Sequence, residues 1–198
     1  MTRPGVTSWS LDLSLPDWLE VPTEPFDIDL WRASVTDVFE LLVTFDAQLD
    51  RAIILPGPLL DVSAALDLLL EFSRSLPTGV HLVAGLTVPG RWPLPVIVEV
   101  SETAEDPVDL LDTVGARSDD AIELPIVEYL PDHLGDGIRV TRFDLDEAGV
   151  LWATVTCARR GDGADTVLTW RTTDLELVAL FSADLETLME GVRIGMNA

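Results

Sequence analysis

The sequence of 198 residues contains no lysine. All twelve of its basic residues are arginines, against 35 Asp and Glu, for a formal net charge of -23. Binding to nucleic acid or to an anionic bilayer needs a positive surface that displaces counterions, so neither is expected as a partner, and no membrane insertion is expected. A single cysteine, Cys157, excludes an internal disulfide. It follows Ala153 and Val155 at a spacing of two and reads as a small buried hydrophobe. Long apolar runs are also missing. The longest uncharged stretch, Ser75 to Gly90, is interrupted by Pro77, Gly79, Gly85 and Pro89, and is shorter than the roughly 20 residues that span a bilayer. Met1 to Gly5 leads into an alternating stretch without the apolar region of a signal peptide. From these absences the expected location is the cytoplasm.

Catalytic and ligand-binding signatures are equally scarce. No nucleophile elbow, phosphate-binding loop, dinucleotide fingerprint or paired-histidine zinc motif occurs. The two histidines are His81, inside an apolar stretch, and His133, in Pro131-Asp132-His133-Leu134-Gly135-Asp136. Asp132, His133 and Asp136 offer three donors to a divalent ion. A metal site also needs ligands held by a surrounding shell, and an acidic loop between Pro and Gly is ordinarily just solvated. Asp144 to Gly149 opens like a calcium loop but fails where Ala148 and Val155 stand in ligand positions. The sequence therefore predicts no metal, no cofactor and no catalytic residue.

Periodicity outlines the fold. Trp9, Leu11, Leu13 and Leu15 alternate along a strand ended by Pro16. Ser34 is the expected N-cap of a helix carrying Val35, Val38, Leu42, Phe45 and Leu49, and Asp61 the cap of a second helix running to Pro77. Strands are expected over Val80 to Val88 and Pro95 to Ser101, joined by a Pro-Gly turn. Asp106 and Pro107 open a short helix closed by Gly115. A polar crossing from Asp119 to Asp136 leads into a three-stranded meander, Gly137 to Phe143, Val150 to Arg159 and Thr166 to Thr172. Thr173 and Glu176 form a capping box for a last helix, whose buried stripe is Leu177, Phe181, Leu185, Leu188 and Val192. The expectation is a single α+β domain over residues 1–198, with a mostly antiparallel sheet and packed helices.

Three stretches resemble the PsbP-like fold family: Ser8 to Pro16 followed by Trp18, the meander from Gly137 to Thr172, and the helix from Thr173 to Arg193. They cover about half of the chain. The resemblance implies a PsbP-like architecture and, since members mostly bind proteins or small ligands, a binding role. It carries over no functional residue.

Three distributions remain. Glu99 to Asp136 holds twelve acids and one arginine, Arg117. Glu102, Glu105, Asp106 and Asp109 in this stretch are candidate contacts for a basic protein or peptide, against a bland reading as a solvated surface. Arg139, Arg142, Arg159, Arg160 and Arg171 gather on the meander, either as an anion patch or as partners of local acids. Trp152 and Trp170 share a parity on adjacent strands, and are placed together on the sheet face opposite Ala153, Val155 and Cys157. They form a candidate aromatic platform if uncovered and core if a helix lies over them. The functional expectation is a non-enzymatic protein-binding, adaptor or chaperone-like protein. The alternatives are a small-molecule or lipid carrier with an apolar pocket between sheet and helices, and an enzyme without a recognisable motif.

Overall fold

A computed structural model of the chain describes residues 6–12, 18–22, 28–49, 61–86, 93–117 and 121–196. Its elements in chain order are β1 (Val6–Leu11), β2 (Trp18–Val21), α1 (Ile28–Leu49), α2 (Val62–Ser75), β3 (Val80–Gly85), β4 (Leu94–Glu102), α3 (Leu110–Thr113), β5 (Ile126–Tyr129), a 3-10 turn (Asp132–Leu134), β6 (Asp136–Leu145), β7 (Leu151–Gly161), β8 (Ala164–Thr172), α4 (Glu176–Gly191) and β9 (Val192–Met196). The fold is mixed α+β, with a large antiparallel sheet packed against helices. The chain divides into two compact units, Met1–Pro16 with Val96–Ala198, and Asp17–Pro95.

In the Asp17–Pro95 unit, β2 pairs antiparallel with β3 and two helices cover an apolar cluster of Val21, Val35, Leu66, Leu69, Leu70 and Leu82. Asp61 caps α2 as expected, its Oδ1 accepting from the Ala64 N–H at 3.0 Å. Helix α1 departs from expectation. It begins at Ile28, not after Ser34, because Ile28, Trp31 and Val35 recur at helical spacing and pack on the same cluster. Ser34 lies inside the helix, and its hydroxyl donates back to the Leu30 carbonyl at 2.9 Å. Val38, expected in the buried stripe, is exposed. The side chains of Leu42, Phe45 and Leu49 and the residues of the Pro-Gly turn after β3 lie outside the described residues, as do Leu13 and Leu15.

The other unit is built on the strand order β4-β8-β7-β6-β5. The three expected meander strands form, with β7 and β8 each reaching further into the turn between them than expected, to Gly161 and from Ala164. Asp162 and Gly163, both at positive φ (54° and 77°), make the two-residue turn that joins Gly161 to Ala164. Helix α4 packs on β7 and β8. Leu177, Phe181, Leu185 and Leu188 are buried, with the Trp170 and Phe181 ring centroids 4.8 Å apart. The opposite face carries α3, which covers Ile138, Val140 and Ala158 with Leu110 and Val114.

Four local readings are corrected. The cap of α3 is Asp109, three residues beyond Asp106, with its Oδ1 accepting from the Leu111 N–H at 3.0 Å. No capping box forms at α4. The Asp174 carboxylate accepts from the Glu176 N–H at 3.2 Å, and Thr173 makes no cap. That helix stops at Gly191, and Val192 onward becomes β9, paired antiparallel with β1. Finally, the crossing from Asp119 to Asp136 contains a strand, β5, paired with β6.

Candidate functional site

The face assignment of the two tryptophans is decided by the turn between β7 and β8. A two-residue loop pairs odd positions of β7 with even positions of β8, so Val155 lies opposite Trp170 and Thr154 opposite Arg171. Trp170 therefore shares the α4 face with Val155 and Cys157, where it is fully buried in the core. Its indole Nε1 has no hydrogen-bond partner among the described residues. Trp152 lies on the other face. Trp152 and Trp170 do not form one platform, and that expectation is overturned.

Trp152 is instead fixed by its neighbours. Its indole N–H donates to Asp146 Oδ2 at 3.0 Å, and the Arg171 guanidinium stands over its ring at 4.5 Å while pairing with Asp144 at 2.6 Å. Asp146 Oδ1 accepts from the N–H groups of Ala148 and Val150, both at 2.9 Å. The indole donation, followed by these backbone bonds, holds the Asp146 carboxyl below its ordinary range. The calcium-like loop is thus a hairpin turn knotted around one carboxylate.

The meander arginines are mostly committed to local acceptors. Arg160 grips Asp165 with two bonds of 2.7 Å, Arg139 is shared between Glu128 at 2.9 Å and Glu186 at 2.5 Å, and Arg159 donates to the Val192 carbonyl at 2.8 Å. Arg142 is half-buried, with its guanidinium against the turn at Gly115. A Cβ on that glycine, which sits at φ +68°, would stand 2.5 Å from Arg142 Nη1. Burial pushes the Cys157 thiol up to about 12, far from the range of a reactive thiolate. His133 contacts Glu190 of α4. Among the described residues no three His, Cys, Asp or Glu side chains converge as a metal would require. None of the described helices is long and apolar enough to cross a membrane.

The four acids singled out from sequence divide. Glu102, at the end of β4, and Glu105 and Asp106, in the bend that follows, are exposed, and no ion pair among the described residues involves them. Asp109 is structural. It caps α3 and pairs with Arg117 at 2.8 Å, and Arg117 also holds Asp112 at 2.8 Å. The Leu111 N–H, and next Arg117, keep the Asp109 carboxyl low. The register carries the acidic end of the sheet across the strands, from Ser101 and Glu102 through Asp165 and Arg160 to Asp136. Asp132 stands exposed beside it.

Sequence reasoning missed the apolar part of this region. Ile122, Leu124, Ile126, Val127 and Tyr129 are all exposed, Leu124 at 92% and Tyr129 at 82%. They lie within the acid-rich segment, interleaved with Glu123 and Glu128; Ile126, Val127 and Tyr129 are on β5, the outermost described strand of the five, and Ile122 and Leu124 are in the bend that leads into it. The signal was the alternation of Ile122, Leu124 and Ile126. Pro125, Pro131 and the neighbouring acids concealed it as a loop.

No family model matches the chain, and no curated protein matches it. Among solved structures it is similar to the crystal structure of LpqN, involved in cell envelope biogenesis of Mycobacterium tuberculosis. The identity is 13%, the match covers 61% of this chain and 80% of that one, and the TM-score is 0.36. This finding runs against the cytoplasmic placement expected from the sequence, which is withdrawn. So low a TM-score assigns no fold or location in its place.

Proposed function

We propose that the protein is a non-enzymatic binding protein that docks a basic protein or peptide on the acid-rich segment between Glu99 and Asp136. The observation that carries this reading is the run of five exposed apolar side chains from Ile122 to Tyr129 inside that segment. Solubility explains exposed acids and does not explain exposed Ile, Leu, Val and Tyr gathered in eight residues, whereas docking surfaces combine an apolar centre with a charged rim. Glu123 lies inside the run and Asp132 just beyond it, both exposed, while Glu102, Glu105 and Asp106 extend the exposed charge from the end of β4, at the other edge of the five strands. The field of a chain at net -23 speeds the approach of a basic partner and is screened over about 8 Å at physiological salt. A PsbP-like identity belongs to the same reading, supported by a meander followed by a long packed helix. Trp152 and Asp109 drop out as contacts, because each is engaged in holding its own turn.

Cross-linking with mass spectrometry in the native source identifies the partner. The test is then a variant carrying Glu102→Gln, Glu105→Gln, Asp106→Asn and Asp132→Asn. Association should slow about 10-fold at low salt and its salt dependence should flatten, with the melting temperature unchanged. An unchanged rate and slope would remove the docking reading.

A further inference from the structure

We propose that β5 is a strand-addition site, on which an extended segment of the partner, with Lys or Arg alternating with apolar residues, pairs as a further strand of the sheet. The inference rests on the docking reading above and names its geometry. In an antiparallel pair, residues alternate between those that exchange both backbone bonds with the partner and those whose N–H and C=O point away. The Leu130 N–H donates to the Gly137 carbonyl at 3.0 Å. In the observed register, Leu130, Glu128 and Ile126 are then the residues bonded to β6. The N–H and C=O groups of Val127 and Tyr129 point outward, and no described strand takes them up.

The side chains specify the occupant. Val127 and Tyr129, opposite Val140 and Ile138, lie on the α3 side of the sheet, while Ile126 and Glu128, opposite Thr141 and Arg139, lie on the α4 side. An incoming strand meets apolar neighbours on the first side, and on the second a carboxylate at Glu128 beside Ile126. Arg139 is shared by Glu128 and Glu186, so that trio keeps a net charge of one negative and the half-exposed Glu128 can accept from another cation. A strand with basic residues on the Glu128 side and apolar residues on the Tyr129 side satisfies both. A second copy does not. It would bring another net -23 and a second Glu128 to the same edge. Pro125 and Pro131 bracket β5, confining pairing to a short length.

The probe is a phage-displayed library of random dodecapeptides panned against the full chain at low salt. Recovered peptides should alternate Lys or Arg with apolar residues, and a synthetic peptide of that sequence should slow hydrogen exchange at the Val127 and Tyr129 amides. N-methylation of its alternate amides should weaken binding about 10-fold or more, since it removes backbone bonds and leaves the charge. Val127→Pro, which deletes an N–H that β6 does not use, should do the same at unchanged melting temperature. Equal binding by the N-methylated peptide, unchanged exchange at the two amides, or recovery of no alternating basic sequence would overturn strand addition. The docking reading is judged separately by the acid-neutralised variant. Protection of the two amides that grows with protein concentration alone would assign the edge to a second copy and overturn the basic occupant.

Discussion

The pair Leu185→Ala and Leu180→Ala tests whether α4 is held by burial or by its own helical preference. Both leucines lie in the same helix, five residues apart. Leu185 is 0% exposed on the sheet face with Phe181, Leu188 and Met189, and Leu180 is 61% exposed. Alanine is at least as good a helix former as leucine, so neither substitution weakens the isolated helix. At position 185 the change removes a fully buried side chain from a packed core and leaves a cavity, at a cost of about 2–5 kcal/mol. At position 180 the change falls on solvent and should stay within about 0.5 kcal/mol of zero. For a chain of this size the first figure corresponds to a drop in melting temperature of about 4–20 °C. Urea titration followed by circular dichroism measures both, and an unchanged slope certifies that the denatured state is comparable. A Leu185→Ala variant within about 1 kcal/mol of Leu180→Ala, less than the smallest gap these ranges allow, would show that α4 is peripheral.

Cys157 should resist Ellman's reagent at pH 8 in the folded protein and react fully in denaturant, because burial raises its thiol to about 12; stoichiometric native labelling would contradict the burial. Asp146 should titrate by carboxyl NMR below the usual aspartate range, since the Trp152 indole and the Val150 amide stabilise its charged form. A depressed carboxyl contributes stability above its unfolded value and loses it as pH falls through the folded one. Acid below about pH 4 should therefore destabilise the wild type more than Asp146→Ala, and equal acid sensitivity would refute the assignment. Asp165→Asn breaks the two-bond grip of Arg160 and should destabilise the protein by about 1–3 kcal/mol; a neutral result in thermal melts would show that Arg160 finds another acceptor.

The elements most legible in the sequence were those whose periodicity and caps agree. In α2, Asp61 stands before Val62, Ala65, Leu66 and Leu69, and in the meander the alternation marks three successive strands. Helix α1 was misjudged because a serine before a valine resembles a cap, whereas the burial of Ile28 and Trp31 on the α2 cluster extends the helix upstream. Strand β5 was hidden because Pro125, Pro131 and the neighbouring acids read as loop around a run of only four strand residues. The tryptophan pair failed on parity. Counting residues along each strand says nothing about which positions face each other until the turn length is known. At the candidate site the acids were visible in the composition, but the commitment of Asp109 to a cap and an ion pair could not be separated from the exposure of Glu105 without coordinates.

The pairing of β1 with β9 joins Val6 to Met196 and Leu11 to Val192. This sets an order of events during synthesis. The unit from Asp17 to Pro95 is contiguous in sequence and can begin folding while the rest of the chain is still being made. Strand β1 is made before the other described strands and must wait for β9, with residues 12–191 as the intervening loop. At roughly 5–20 residues per second that delay is on the order of ten seconds or more. During it the Trp9 strand has no native partner in reach, and a stalled or truncated chain leaves it permanently unpaired. A truncation before Val192 should therefore cost more in aggregation during expression than the loss of a two-stranded ribbon would suggest, because it orphans a strand far from the cut in sequence.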